Sequence, residues 1–338
     1  MPQQKLRLAL FGSGRIGQVH ARNLADHPDI ELALISDPFI EGARTLAAQT
    51  GGRAVSDPAE VFAEPGLDGV IIASPTPTHV DLMSQAAAHG LAVLCEKPID
   101  LDITTVLECR DNIREHQVPI MLGFNRRFDP NFKAVRDEVV AGAIGTLEQL
   151  TIISRDPAPA PRDYIEASGG IFRDMTIHDL DIARFFIPNI VEVSAVGSAL
   201  FSADIKSLND FDTTTTTLRG ADGEIVTIIN SRHCAYGYDQ RIEAFGSTGM
   251  LTAGNVSATT VRRYDATGTE QAGPCLPFFL ERYAAAYRAE LDAFVQAIRA
   301  GGTCSPGFDD GVAALVLADA AAESATTGKT VSVVDALR

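Results

Sequence analysis

Short runs of almost unbroken apolar residues alternate with stretches of helical period through the first third of the chain. The runs cover residues 6–11, 31–36, 53–55, 68–74, 91–95 and 119–124. Runs this short and apolar suit strands buried on both faces of a parallel sheet, with the intervening helices as crossovers. Asp57-Pro58 opens one of those helices as an N-cap followed by proline at the first helical position. Residues 1–124 are therefore expected to form one α/β domain. Past residue 124 the pattern changes. A helix at 131–141 and a strand at 147–153 lead into a proline-rich loop at 155–161, and a helical stretch follows at 170–181. Five strand-like runs then come without helices between them, at 191–200, 212–219, 224–233, 240–245 and 259–264. That succession predicts an α+β domain over 125–338 built on a large, mostly antiparallel, open sheet. Ala221-Asp222-Gly223 is a hairpin signal, and the threonines at 213–217 suit a strand with one polar, β-branched face. That face is either solvated or set against another subunit's sheet. Two helices, at 279–299 and 310–326, close the chain.

The first strand runs directly into Gly12-Ser13-Gly14-Arg15-Ile16-Gly17, a helix follows, and the next strand ends at Asp37, twenty residues beyond Gly17. Strand, Gly-x-Gly-x-x-Gly, helix, strand and terminal acid together make a dinucleotide fingerprint. Gly12 permits the turn, Gly14 lets backbone approach a pyrophosphate, and Gly17 allows close helix–strand packing. Asp37 can accept hydrogen bonds from ribose hydroxyls and would repel a 2′-phosphate, which favours NAD over NADP. At the carboxyl edge of the same sheet lie Ser74-Pro75-Thr76-Pro77-Thr78 and Glu96-Lys97-Pro98. Ser74, Pro75, Thr76 and Glu96 are expected near the cofactor. His79 is a further candidate there, although local packing accounts for a histidine at a helix start. Lys97, at a strand end and immediately before a proline, can reach a ligand and polarise its oxygen.

The chain of 338 residues carries a formal charge of -16, which disfavours nucleic acid or an anionic membrane as partner. It fits an enzyme of neutral small molecules. Five cysteines at irregular spacings suit a reducing compartment and offer no metal-ligand pattern, and no apolar signal core follows Met1. A cytoplasmic protein is expected. In the 170–181 stretch, an α-helix would put Asp174 and His178 one turn apart on one face. An imidazole beside a carboxylate has the makings of a general base.

These motifs resemble the Gfo/Idh/MocA oxidoreductases, and within them the bacterial inositol 2-dehydrogenases. The likeness is carried by the glycine hexapeptide, by Glu96-Lys97-Pro98, and by residues 123–129, 154–157, 168–179, 236–241 and 278–283. The resemblance implies that Lys97, Asp174 and His178 form the catalytic set, with His178 taking the hydroxyl proton, Asp174 orienting it and Lys97 holding the reacting oxygen. No metal is required. It implies substrate contacts from Arg127, Arg155, Tyr236 and Tyr283, and a homotetramer built through the open sheet. Several family members carry a histidine near the Arg155 position, a departure that bears on the choice among cyclic polyols. The activity implied is NAD-dependent oxidation of myo-inositol to its 2-keto product (scyllo-inosose). The alternatives are a scyllo-inositol or glucose-type pyranose dehydrogenase and, in a different class, a non-catalytic NAD-binding regulator. A regulator has no need of Lys97, Asp174 and His178 together.

Overall fold

The computed structural model describes residues 4–333. The chain forms two compact units, one of residues up to Phe128 with Ala286–Val312, the other of Asp129–Ala285 with residues from Ala313 onward. The pattern along the chain suggested a single crossing at 124/125. Instead a late segment returns to the first unit.

In the first unit, β1 (Leu6–Phe11), α1 (Arg15–Asp26), β2 (Ile30–Ser36), α2 (Ile40–Thr50), β3 (Arg53–Val55), α3 (Pro58–Phe62), β4 (Gly69–Ile72), α4 (His79–Ala88), β5 (Ala92–Cys95), α5 (Ile103–Arg114) and β6 (Ile120–Leu122) alternate as expected. All strands are parallel, in the order β3-β2-β1-β4-β5-β6. This is the doubly wound dinucleotide-binding order, and ligands of such sheets gather where the order reverses, between β1 and β4. Leu8, Leu10, Leu24, Ile35, Ile71 and Leu94 fill the core together with Leu291, Phe294 and Val295 from the returning segment. Each such side chain contributes about 1.5–3 kcal/mol by leaving water. Helix starts are capped locally: Asp57 accepts from the Ala59 N–H at 2.9 Å and Asp102 from the Thr104 N–H at 2.8 Å.

The second unit contains α6 (Pro130–Val140), β7 (Leu147–Arg155), α7 (Arg162–Ala167), α8 (Ile177–Phe186), β8 (Ile190–Ser198), α9 (Ala203–Ser207), β9 (Thr213–Gly220), β10 (Ile225–Ser231), β11 (Asp239–Gly246), β12 (Gly249–Ala253), β13 (Arg262–Asp265), β14 (Gly268–Ala272) and α10 (Phe279–Arg282). The helix α11 (Ala284–Ala300) follows, then α12 (Phe308–Thr327) and β15 (Val331–Ser332). Seven strands join in the order β12-β11-β7-β10-β9-β8-β15, all pairs antiparallel except β7 with β10. Burial alternates along β9, with Thr214, Thr216 and Leu218 covered and Thr215, Thr217 and Arg219 exposed, so one face of the sheet is open. That face also carries Val196, Ile225, Phe245 and Met250, between 43% and 71% exposed. Gly223, with φ +98°, makes the β9–β10 hairpin turn.

Three expectations change. The run at 259–264 does not join the large sheet: β13 pairs with β14 in a separate hairpin. The helix expected at 279–299 breaks at Tyr283, where Arg282 turns back to Asp129, the residue that caps α6. The helical stretch before His178 is not a plain α-helix, since Phe172–Thr176 winds as a π-helix ahead of α8.

Candidate active site

The first unit holds the glycine turn in the form a dinucleotide requires. Gly12 has φ +98°, and a Cβ there would lie 2.5 Å from the Ala73 carbonyl oxygen. A Cβ on Gly17 would lie 2.1 Å from the Gly12 oxygen. Gly14 is different: nothing lies within 4 Å of where its Cβ would be. Gly12 and Gly17 thus close the turn, while Gly14 leaves an open approach at the start of α1. That helix has no side-chain cap and no acidic residue in its first turn. Its first N–H groups, with Arg15 and Ile16 above them, suit a pyrophosphate. Asp37 is already oriented. One oxygen accepts from the Ser13 N–H and hydroxyl at 2.8 and 2.7 Å, the other from the Phe39 N–H at 2.8 Å. These residues fit NAD.

The loop after β4 is fixed as well, with Ser74 and Thr78 hydroxyls 2.5 Å apart and Pro75 and Thr76 leading into a single turn before α4. The next residue corrects an expectation. His79 is 1% exposed, and its two ring nitrogens face the Pro98 and Ser74 carbonyls, each at 2.8 Å. It ties two loops of the sheet edge together and presents no ring nitrogen to a cofactor. Glu96, at the end of β5, reaches His20 on α1 at 2.8 Å, and Lys97 follows it, partly exposed. Arg127, 7% exposed, donates to Asp310 at 2.9 Å within this same unit, so one donor of this expected substrate residue is already committed.

The second unit supplies Asp174 and His178. Asp174 lies in the π-turn and His178 in the first turn of α8, so the α-helical one-face relation drawn from their spacing is replaced by a wider winding, a feature often found at functional sites. Asp174 accepts from the Tyr164 hydroxyl at 2.8 Å and from Arg232 at 2.9 Å. Arg232, 1% exposed, also comes within 3.8 Å of Asp210. Tyr164 has half its surface open, yet burial of its hydroxyl end and the charge of Asp174 push the phenol well above its usual range. It remains a donor. On either side of His178, Thr176 donates to Asn230 at 2.8 Å and Asp179 accepts from the Asn230 amide at 2.7 Å. The residues flanking the imidazole are thus clamped to β10.

Arg155 and Tyr236 do meet. Arg155 donates to the Tyr236 hydroxyl at 2.9 Å, and both donate to Asp239, at 2.7 and 2.6 Å. Asp239 faces Arg155 across the β7–β11 register and receives Arg241 and Asn255 besides. Burial alone would raise this carboxyl; the donors from Arg241, Tyr236 and Asn255 outweigh it and hold Asp239 far below the usual carboxylate range. Arg155 and Tyr236, with Ser231 and His233, line an open cavity of about 380 Å³. Tyr283 is not part of that group. It is 1% exposed, donates to Gln240 at 3.0 Å and stacks beneath Arg282, a core residue by every contact shown.

Tyr164, Arg232 and Asp239 were missed from sequence. Arg232 follows directly on a strand end, as Lys97 does, and that position is the signal that would have marked it. Among the described residues no group of three or more metal-ligating side chains is gathered, and no helix is long and apolar enough to cross a membrane.

Comparison with known proteins is consistent across the chain. An oxidoreductase family with an NAD-binding Rossmann fold matches residues 6–124, and the GFO/IDH/MocA C-terminal domain matches residues 132–252. The structure is similar to that of a myo-inositol dehydrogenase from Corynebacterium glutamicum ATCC 13032, with 61% identity, a TM-score of 0.94, and 97% of this chain and 98% of that one covered. An inositol 2-dehydrogenase of Rhizobium meliloti is 43% identical over 97% of this chain and 99% of its own length. A myo-inositol 2-dehydrogenase of Thermotoga maritima is 42% identical over 94% and 96%. With both domains matched in order, this chain belongs to the Gfo/Idh/MocA oxidoreductases, NAD-binding proteins of the Rossmann fold.

Proposed function

We propose that this protein is an NAD-dependent dehydrogenase of a cyclic polyol, oxidising myo-inositol to the 2-keto product, with Lys97, Asp174 and His178 as its catalytic residues. NAD, when bound, supplies the C4 position that accepts hydride. Lys97 donates to the reacting hydroxyl oxygen and stabilises negative charge as it develops there. His178 takes the hydroxyl proton as general base while hydride leaves the same carbon, which becomes a carbonyl. Asp174, held by Tyr164 and Arg232, accepts from a neighbouring ring hydroxyl. Arg155 and Tyr236, preset by Asp239, read hydroxyl orientation. The observation that supports the reading is the clamping of the segment around His178 to Asn230 through Thr176 and Asp179, in a stretch whose Asp174 is held by two donors of its own.

The test follows NADH formation with myo-inositol, scyllo-inositol and glucose as alternative substrates. Turnover with myo-inositol above the other two supports the reading, preference for another ring moves the substrate within the class, and silence with all three favours a non-catalytic NAD-binding protein. His178→Ala should lower kcat by about 10²–10⁴-fold while leaving NAD affinity, measured by titration calorimetry, nearly unchanged. Equal loss of both would remove His178 from the base role. The exposed apolar side chains on the open sheet, among them Val196, Ile225, Phe245 and Met250, support a homotetramer assembled through that face. The cysteines, all free, are in keeping with a cytoplasmic location.

A further inference from the structure

Glu290 is a buried carboxyl that nothing in the reaction uses. It lies on α11 with 0% exposure, and neither of its oxygens has a hydrogen-bond partner among the described residues. Its surroundings are mostly the apolar core of the first unit, to which Leu291, Phe294 and Val295 of the same helix belong. Glu96 comes from the end of β5 and acts electrostatically on Glu290. His20 comes from α1, holds Glu96 at 2.8 Å, and has its other ring nitrogen unpartnered among the described residues. Tyr287, one turn before Glu290 on α11, meets the His20 ring edge-on with centroids 5.7 Å apart. Cys95, fully buried, directly precedes Glu96 in the chain.

Two carboxylates cannot both be charged in such a place. A carboxylate without a donor loses its hydration on burial and gains nothing in return, and a second charge nearby adds repulsion. Glu96 has His20 as partner and Glu290 has none, so the proton belongs on Glu290. Glu96 in turn is pinned: its carboxylate lies over Gly123, where a Cβ would come within 2.9 Å of it, and its N–H donates to the Ile72 carbonyl at 2.9 Å. Lys97 extends from the very next residue.

We infer that Glu290 is a positioning residue for Lys97: as a neutral carboxylic acid it sets no charge against Glu96, so that Glu96 stays on His20 and holds the strand end that carries Lys97. Ionising Glu290 would set two carboxylates against each other and release that strand end. Burial and the charge of Glu96 both push Glu290 well above the usual carboxyl range, so ionisation belongs on the alkaline side. The inference rests on the catalytic role proposed for Lys97, which Lys97→Ala tests separately: undiminished turnover in that variant would refute the role without touching the protonation of Glu290.

The experiment compares the full chain with Glu290→Gln, which keeps the shape of the neutral acid and cannot ionise. At neutral pH the variant should keep kcat and KM for myo-inositol within about two-fold of the parent. Its alkaline fall in kcat/KM should begin at distinctly higher pH. A purely structural role would not move that limb, and coincident limbs would overturn the inference. Infrared spectra give a second readout, needed if the variant folds poorly. The parent at neutral pH should show the carbonyl stretch of a buried protonated carboxylic acid, fading over the pH range in which activity falls. Absence of that band, or its persistence where activity is already lost, would equally refute the assignment.

Discussion

At the scale of single residues, the site depends on partners that do no chemistry. Arg232 is the plainest case, a guanidinium 1% exposed that donates to Asp174 and lies beside Asp210. Arg232→Met keeps the bulk and removes the charge, leaving two carboxylates without their shared partner. The expected loss is about 3 kcal/mol of stability in urea unfolding, and a fall in kcat larger than any change in NAD affinity. Unchanged kcat with reduced stability would confine Arg232 to the fold. This level is also where sequence and structure part. Gly12, Gly14, Gly17 and Asp37 were legible because their roles are written in local backbone geometry and a fixed spacing. Lys97 stood out because a charged residue at the end of a buried strand is conspicuous. Arg232 and Asp239 were not legible, since their partners Asp174 and Arg155 lie 58 and 84 residues away in the chain, and Tyr164 was not, since its reach to Asp174 depends on how the short stretch between them folds. Tyr283 shows the complementary difficulty. A tyrosine near a helix start reads the same whether its hydroxyl meets a ligand or, as here, Gln240 in the core.

At the scale of elements, the alternation of strands and helices gave the first unit almost completely, because each buried strand is nearly all apolar. Boundaries were less visible where tertiary contacts decide them. The break at Tyr283 follows from Arg282 seeking Asp129, and the π-turn at Phe172–Thr176 has no pattern of its own in the sequence. The loops at the carboxyl edge of the parallel sheet carry a measurable acid sensitivity. His79 lies between the Ser74 and Pro98 carbonyls, donating as a neutral ring to one of them, and burial, the largest influence, lowers its pKa from 6.5. The unfolded chain therefore takes up a proton that the folded one refuses. Stability is fully present above 6.5 and declines as pH falls below it. Thermal unfolding followed across that range should show the decline in the parent and a shallower one in His79→Gln. Parallel slopes would remove His79 as the cause.

At the scale of the whole molecule, the open sheet face is the feature with the largest consequence for assembly. Ile225 and Phe245, 46% and 43% exposed, lie on it. Ile225→Glu with Phe245→Glu should shift the sedimentation of the proposed homotetramer towards smaller species while leaving the isolated fold intact by circular dichroism. An unchanged sedimentation coefficient would place any assembly elsewhere. The discontinuity of the first unit matters in another way. Leu291, Phe294 and Val295 complete a core whose other members are all encoded before residue 129. A ribosome that has made only residues up to 128 therefore presents an unfinished globule, with hydrophobic surface uncovered until residues 291–295 have followed. A fragment stopped at Phe128 should be far more susceptible to protease than the same stretch within the full chain, and a separately supplied peptide spanning 286–312 should restore some of its resistance. Nascent copies of this enzyme thus have reason to call on chaperones during synthesis, well before any question of catalysis arises.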